Sequence, residues 1–256
     1  MRSIRLVLVI MFCCAAASWS DSVLIVADEW PQMEILGDFL HENGGLEVEK
    51  AEQNQMPESL SSYRAVFMFI HGAMEREAGL RMIEYAESGG RLIVMHHGIS
   101  SKKRLVPEWL DMLGVHLPTK EEEPEEFYTW IHNVDYYLVN LQPKHYITSH
   151  KIDWPTQTEY RSSDFPSRSV SQPAWNIINS EVFINHNFKD GREKTVLCGF
   201  KYKDPESGEW IMQDRGAWYK PAGRGWVFYF QPGHTPVEFQ ERNYCRMIMN
   251  CLTWQP

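Results

Sequence analysis

The sequence predicts an α/β protein with an open, mostly parallel sheet and helices on both faces of that sheet. Three segments are apolar throughout and rich in β-branched or aromatic residues: 23–27 (VLIVA), 65–70 (AVFMFI) and 226–230 (WVFYF). Continuous apolar runs of this length are typical of strands that are buried on both faces, as in parallel sheets. Segments with helical spacing separate the early strands, so we expect right-handed strand–helix–strand connections.

The first half of the chain supplies the regular alternation that favours this fold class. In order, it predicts a strand at 23–27, a helix at 33–42, a strand at 46–51, a strand at 65–70, a helix at 74–87 and a strand at 92–95. Glycine pairs follow both helices, at Gly44-Gly45 and Gly89-Gly90, and glycine readily ends a helix.

The second half of the chain is less regular. An acidic run at 121–126 (EEEPEE) is interrupted by proline and predicts a solvated loop, and the aromatic segment after it has no clear period. The later elements expected are strands at 195–200, 209–218 and 226–230 and a closing helix at 236–254. No internal repeat or long linker divides the chain, so we expect a single domain after the N-terminal segment.

The N-terminal segment has the pattern of a secretory signal peptide. Arg2 and Arg5 precede an apolar stretch at 6–17, and small residues follow it. Cleavage after Ala17 or after Ser20 satisfies the small-residue rule, and we take Ser20. The apolar stretch is shorter than the roughly 20 residues of a membrane-spanning helix, and no second one occurs later.

The expected organisation is therefore a signal peptide at 1–20 and one domain at 21–256, exported to the periplasm or secreted. A lipid anchor on Cys13 or Cys14 is less favoured, because bulky residues stand where small ones should precede the modified cysteine. No integral membrane segment is expected after processing. The oligomeric state is left open by the sequence.

Charge and cysteine content narrow the classes of partner. The net charge is −9, and removal of the two leader arginines makes the mature chain more acidic, which disfavours nucleic acid and anionic lipid. A neutral or cationic small molecule is expected instead. Cys198, Cys245 and Cys251 remain after processing, and this odd number without paired spacing predicts no disulfide framework.

Histidines and carboxylates follow the strands of the predicted sheet at their carboxyl ends, where ligands bind in open α/β folds. The residues at these ends are Asp28 and Glu29, His71, His96 and His97, and His234. Histidine exchanges protons near neutral pH, and its neutral ring binds metals. The sequence therefore predicts a shared pocket at this edge. Because side chains alternate along a strand, at most one of His96 and His97 is expected to face it.

Other chemistries find less support. No serine or cysteine occupies the turn after the fourth strand, and Cys198 lies in an apolar run that is typical of a buried, inert thiol. Fixed-spacing zinc motifs, glycine-rich dinucleotide motifs and P-loops are absent, so no nucleotide cofactor is expected. Glu159 stands among aromatic residues and is a candidate general base or metal ligand.

Several short motifs occur in a characteristic order along the chain: Gly89-Gly90 with the strand into His96, His145-Tyr146-Ile147-Thr148, Glu159-Tyr160, Gly216-Ala217-Trp218-Tyr219, the segment from Gly223 to Tyr229, Gly233-His234 and the last helix up to Trp254. Taken together, these motifs resemble the ThuA-like (trehalose utilisation) family, whose fold is like that of class I glutamine amidotransferases. The resemblance implies a three-layer, flavodoxin-like sandwich in which a histidine-bearing turn replaces the amidotransferase cysteine.

The same resemblance implies an exported enzyme of carbohydrate catabolism, a hydrolase, lyase or isomerase that acts on a disaccharide or keto-sugar derivative. It implies catalytic or metal-binding roles for His96, His234 and Glu159, with a divalent metal as a possible cofactor. Trp218, His71 and Asp28 are the expected substrate-binding residues. The alternative is a sugar-binding or interaction module that has kept the fold without catalysis.

Overall fold

The computed structural model describes residues 21–165, 168–188 and 194–256. The expectations for residues 1–20, including the signal peptide and its two cysteines, lie outside this part of the chain. The strands described are β1 (Ser22–Ala27), β2 (Glu47–Ala51), β3 (Ala65–Phe69), β4 (Arg91–Met95), β5 (Val115–His116), β6 (Thr129–Asn140), β7 (Thr156–Tyr160), β8 (Val170–Ile184), β9 (Asn187–Phe188), β10 (Thr195–Lys203), β11 (Trp210–Ala222) and β12 (Gly225–Phe230). The α-helices described are α1 (Pro31–Gly44), α2 (Arg76–Glu87), α3 (Pro107–Leu113), α4 (Tyr146–Ser149), α5 (Pro236–Gln240) and α6 (Arg242–Asn250).

Ten of these strands form one mixed sheet in the order β2-β1-β3-β4-β12-β11-β10-β6-β8-β7. The five strands from β2 to β12 run parallel, and every pairing from β12 onward is antiparallel. The two short strands β5 and β9 pair separately. The predicted α/β fold is thus confirmed, with a parallel end in the order of flavodoxin-like sheets and an antiparallel extension beside it.

Helices cover both faces of the parallel end and make three layers. Alternation along β1 sends Val23 and Ile25 into one core with α1 and α6, and it sends Leu24 and Val26 into the other core with α2 and α3. All four side chains are fully buried or nearly so, which explains why the strand reads as a continuous apolar run.

Two parts of the structure differ from the sequence-based expectation. The closing helix is divided into α5 and α6 at Glu241, whose side chain accepts a hydrogen bond from the backbone N–H of Asn243 and so caps α6. The irregular segment after residue 127 contains two long strands of the sheet, β6 with 12 residues and β8 with 15. Their alternation is broken by register shifts next to Asn133 and Asn179, which have positive φ angles of 55° and 49°.

Cys198, Cys245 and Cys251 are free and buried. Burial raises the pKa of the Cys198 thiol above its ordinary value, so this group stays protonated and unreactive, as expected of an inert core cysteine. Among the described residues, no helix is both long enough and apolar enough to cross a membrane.

Candidate active site

The parallel strands bring histidines to one edge of the sheet. His71 lies just beyond β3, His96 and His97 follow β4 directly, and His234 follows β12. Because these strands run in the same direction, their carboxyl ends meet at one edge, and the loops that leave them are neighbours. The imidazoles of three of these residues surround a single carboxylate, that of Glu181 on β8.

The Glu181 carboxylate is almost completely buried and lies close to four imidazoles. Its Oε2 atom lies 3.0 Å from Nε2 of His96, 3.4 Å from Nδ1 of His234 and 3.5 Å from Nε2 of His97. Its Oε1 atom lies 3.2 Å from Nδ1 of His132. We call the set of His96, His97, His132, Glu181 and His234 the Glu181 centre.

The antiparallel extension contributes Glu181 and His132 to this centre. His132 on β6 and Glu181 on β8 are directly paired in the antiparallel ladder, so their side chains lie on the same face of it. The shift in register beside Asn133 comes immediately after this pair. Bulges of this kind bend and twist a strand, and they often re-aim a side chain beside an active site.

His96 occupies a strained position in a tight turn. Its φ angle is +46°, a left-handed conformation that is uncommon for a residue other than glycine. The neighbouring backbone approaches closely: a Cβ atom on Gly233 would lie 2.6 Å from Cβ of His96, and one on Gly98 would lie 2.2 Å from Cγ1 of Val94. A strained turn at the end of a parallel strand is where many α/β enzymes present a nucleophile, and here it presents an imidazole.

The hydrogen bond on the other side of the His96 ring fixes its tautomer. Nδ1 lies 2.7 Å from the carbonyl oxygen of Gln231, which can only accept, so Nδ1 carries a proton. In the neutral ring Nε2 then has a lone pair, and this lone pair is directed at Oε2 of Glu181. Both atoms are buried and have no hydrogen-bond partner among the described residues. Two lone pairs 3.0 Å apart repel each other unless a cation, either a proton or a metal ion, lies with them.

The electrostatics of the centre follow from this crowding. Burial opposes ionisation of Glu181, but the adjacent imidazoles of His234 and His96 outweigh it and hold the pKa of the carboxyl well below its usual range. The adjacent Glu181 carboxylate raises the pKa of His234. Burial, together with the adjacent His96, lowers the pKa of His97 to about 2, so His97 is a neutral imidazole at physiological pH.

A second buried carboxylate, Glu238 on α5, connects the two segments that carry Glu181 and His234. It accepts hydrogen bonds from the backbone N–H groups of Gly233, His234 and Thr235, the latter two at 3.2 and 3.3 Å. It also accepts one from the Ser180 hydroxyl, at 2.5 Å, next to Glu181 on β8. Glu238 thus fixes the position of the loop after β12 relative to the part of β8 that carries Glu181.

His71 lies at the rim of the centre. Its ring packs on that of His97, with centroids 4.0 Å apart, and its Nδ1 atom is 3.1 Å from Oε1 of Glu29. Asp28 accepts hydrogen bonds from the backbone N–H groups of His71 and Gly72, at 2.6 and 2.7 Å. The buried Lys103 ammonium donates to the carbonyl oxygens on the same loop, and the loop that carries His71 is therefore fixed from two sides.

The structure brings together three of the residues singled out from the sequence, His96, His234 and His71. Asp28 is adjacent, and both of its carboxylate oxygens accept hydrogen bonds from the His71 loop. The expectation that only one of His96 and His97 faces the pocket is wrong, because a 3-10 turn begins at His96 and ends the strand alternation there.

Glu159 is not brought to the centre. It lies on the edge strand β7, paired with Ser171, ten residues before Glu181 on β8, which corresponds to roughly 30 Å along a strand. It is exposed and accepts a hydrogen bond from Ser169. The carboxylate expected at this position in the site is supplied by Glu181 instead.

Trp218, in contrast to Glu159, is buried away from solvent. Its side chain is fully buried in the core beneath α2 and α3, where it contacts the rings of Tyr229 and Phe188. Alternation along β11 points it into this core, so it cannot offer an indole face to a ligand that enters from solvent. The assignment of Trp218 as a substrate-binding residue is therefore wrong for this structure.

Sequence reasoning missed Glu181 and His132. Both lie in the aromatic segment whose period is obscured by bulges, and neither follows a parallel strand. The only available signal was the run NSEVFI at 179–184, in which a carboxylate directly precedes a strand-like apolar stretch. A solvated carboxylate gives the same pattern far more often.

Three members of the centre form a donor set that fits a divalent metal ion. One ligand atom from each of His96, Glu181 and His234 lies within 4.8 Å of the others. Ligand atoms about 2.1 Å from a shared ion at angles of 90–110° are about 3.0–3.4 Å apart, and Oε2 of Glu181 has these separations from the two imidazole nitrogens. The Nδ1–H of His96 donates to a backbone carbonyl, as metal-bound histidines commonly do.

Several solved structures resemble this chain. A ThuA-like protein from Bacteroides uniformis superposes with a TM-score of 0.59 at 14% identity, covering 94% of this chain and 93% of that protein. A cold-adapted β-galactosidase from Rahnella sp. R3 gives 0.50 at 10% identity, covering 86% of this chain but only 30% of the enzyme. A glutamine amidotransferase from Thermotoga maritima gives 0.40 at 9% identity, covering 82% and 74%.

At these identities the structural likenesses show the fold alone. No curated protein matches the chain by sequence. The family model described as "Trehalose utilisation" (ThuA) matches residues 19–255, nearly the whole chain. The resemblance noted in the sequence is thereby confirmed, and the chain belongs to the ThuA family, a family of trehalose utilisation with a carbohydrate-related role.

Proposed function

We propose that the protein is an exported enzyme of carbohydrate catabolism that acts on a disaccharide or keto-sugar derivative as a hydrolase, lyase or isomerase. In this proposal a divalent metal ion is held by His96, Glu181 and His234. The description of the family supports the class of substrate. The position of the Glu181 centre, at the carboxyl edge of the parallel strands, supports the location of the site.

One observation carries the metal assignment: the lone pair on Nε2 of His96 faces Oε2 of Glu181 at 3.0 Å, and both atoms are buried without a hydrogen-bond partner in the described part of the chain. A proton alone would satisfy this one pair. A metal ion would also accept the lone pair of His234, whose Nδ1 atom lies 3.4 Å from the same oxygen. A metal ion therefore accounts for three donor atoms, whereas a proton accounts for only two.

A bound metal ion would supply Lewis-acid polarisation of a sugar oxygen or carbonyl. The chain's own residues then orient the sugar and move protons. Oε1 of Glu29 lies 3.1 Å from Nδ1 of His71, and a proton on this Nδ1 atom leaves Nε2 of His71 as a proton acceptor at the half-exposed rim of the site. This carboxylate–imidazole pair is our candidate for the acid–base group, in the arrangement by which a carboxylate orients a catalytic histidine.

The test combines elemental analysis with a turnover screen. Purified protein is expected to contain a stoichiometric divalent metal, or to bind added Zn²⁺ or Mn²⁺ at one site, and to convert at least one member of a panel of oxidised disaccharides. Glu181→Gln and His234→Ala should lose the metal and the activity. Glu159→Gln, an exposed carboxylate on β7, is the matched control and should keep both.

Two outcomes contradict the proposal in different ways. If Glu181→Gln binds the metal as tightly as the natural protein, the metal site is not at the Glu181 centre. If the metal is present but no compound is converted and His71→Ala leaves ligand affinity unchanged, a non-catalytic sugar-binding module on the same fold replaces the enzyme.

A further inference from the structure

We propose that the exposed indole of Trp130 forms a sugar-binding subsite beside the Glu181 centre and stacks on the apolar face of an uncharged pyranose ring. This inference rests on the proposed function, because it names the class of substrate that the same site takes. It assigns the aromatic role to Trp130, a residue of β6, since Trp218 is sealed in the core.

The register of the β6–β8 ladder places Trp130 on the face that carries the centre. Trp130 is paired with Phe183, and His132, two residues later on β6, is paired with Glu181, two residues earlier on β8. Directly paired residues share a face of an antiparallel ladder, and so do residues two apart on one strand. Trp130 and Glu181 are thus diagonal neighbours on one face, with Cβ atoms about 7–8 Å apart by the usual ladder spacing.

Ring contacts give a second, independent link between Trp130 and the centre. The Trp130 ring lies 6.4 Å from that of Tyr128, and the Tyr128 ring lies 6.2 Å from that of Phe183. Phe183 in turn packs on His96 and His97, at 4.8 and 5.3 Å. A continuous row of aromatic rings therefore leads from the exposed indole to the imidazoles around Glu181.

Exposure shows where a ligand would approach. The Glu181 side chain is 2% exposed and that of His96 is 1% exposed, whereas His132 is 48% exposed. The centre is therefore open to solvent over His132. Trp130, 47% exposed, stands next to this opening on the same face. A sugar ring stacked on the indole would lie over the entrance, with its hydroxyl groups directed at the histidines.

The chemistry of this entrance favours an uncharged sugar. One face of a pyranose ring carries C–H groups and packs well on a large, rigid aromatic surface, while the hydroxyl groups at its edge need hydrogen-bond partners. Imidazoles and the Glu29 carboxylate at the rim supply those partners. The acidic loop at 121–126, which ends shortly before this strand begins, repels a phosphorylated sugar.

Trp130 is tested with three variants, two neutral sugars and one phosphorylated sugar. Binding of trehalose and of a keto derivative of trehalose is measured calorimetrically on the metal-loaded protein. Trp130→Ala should weaken binding about 10-fold or more, and Trp130→Tyr should restore most of it, because a tyrosine ring offers a similar stacking face. Trp210→Ala is the matched control: Trp210 is 50% exposed but lies at the start of β11, paired with Lys203, and should not matter.

Metal content is measured on the same samples, so that failure of this inference is distinguished from failure of the metal proposal. Trp130→Ala should keep the full metal content, and Glu181→Gln should lose the metal. If neither sugar binds the natural protein, or if Trp130→Ala binds both sugars as tightly as Trp210→Ala does, the subsite is not at Trp130. If glucose 6-phosphate binds more tightly than trehalose, the preference for an uncharged sugar is wrong.

Discussion

Glu181 is a buried carboxylate whose environment is made almost entirely of imidazoles. Such a group is stable as an anion only where hydrogen bonds or cations compensate for its loss of water. Here the compensation comes from His96 and His234, which outweigh the effect of burial on its pKa. Each of these histidines is in turn fixed through a backbone group, His96 through the Gln231 carbonyl and His234 through its own N–H group bonded to Glu238.

At the residue scale, Glu238 offers a test of how the centre is positioned. Glu238→Ala should lower the free energy of unfolding by about 2–4 kcal/mol, because three backbone N–H groups and the Ser180 hydroxyl lose their buried acceptor. Glu238→Gln keeps one acceptor oxygen and should cost less. Urea denaturation measures both, and Glu241→Ala, an exposed residue at the start of α6, is a comparison with a smaller expected cost.

The buried Lys103 predicts a pH-dependent stability. Burial lowers the pKa of its ammonium group from 10.5 to about 7. Between about pH 7 and pH 10 the unfolded chain therefore holds a proton that the folded chain does not, so folded-state stability should rise with pH through this window, by on the order of 1 kcal/mol per pH unit.

The measurement compares natural protein with Lys103→Met at pH 7, 8 and 9 by urea denaturation. The difference in unfolding free energy between the two proteins should change in favour of the natural protein as the pH rises. Lys144→Met removes an exposed lysine that is not among the causes of the lowered Lys103 pKa, and it should leave the slope unchanged. An identical slope for all three proteins would show that Lys103 keeps its ordinary pKa.

At the scale of elements, the turn from β4 into the 3-10 segment determines where His96 points. A side chain on Gly98 would meet Val94 at 2.2 Å, too close for a small adjustment. Gly98→Ala should therefore cost about 1–3 kcal/mol of stability and reduce metal binding, because the turn must shift to relieve the contact. Gly37→Ala in α1, where the nearest atom is 3.4 Å away, is the control and should be neutral or slightly stabilising.

The same elements show why the sequence predicts one half of the site and not the other. Parallel strands that are buried on both faces are visible as apolar runs, and the edge at which they end follows from the fold class. His71, His96 and His234 were found in this way. The pairing of His132 with Glu181 depends on the register of two long antiparallel strands that contain bulges, and register is set by distant contacts and not by local pattern.

The assignments of Trp218 and Glu159 to the site are not met in the structure for a related reason. Their motifs identify the family, but a motif does not state which face of a strand a side chain occupies. Trp218 lies on the inward face of β11, and Glu159 is on the edge strand β7. The resemblance to the family therefore predicted the fold correctly, but two of the six residues assigned to the site lie elsewhere in the structure.

At the scale of the whole molecule, two cores enclose the parallel sheet and leave the thiols no access to solvent. Cys198 is fully buried in a strand, and Cys245 and Cys251 are fully buried on and directly after α6. Burial is the main cause that raises the pKa of all three thiols. If the protein is exported as we propose, it meets oxidising conditions, in which accessible thiols form disulfides, but these three thiols are protonated and enclosed.

Thiol counting therefore tests burial and leader removal together. The sequence has 5 cysteines, and if the predicted leader is cleaved after Ser20, Cys13 and Cys14 are removed and the mature protein should carry three thiols. A thiol reagent such as dithiobis-nitrobenzoate should detect almost none in the native protein and three after denaturation, without prior reduction. Five thiols after denaturation would show that the leader is retained, and one would show that two of the buried cysteines have paired, whereas all three are free in the structure.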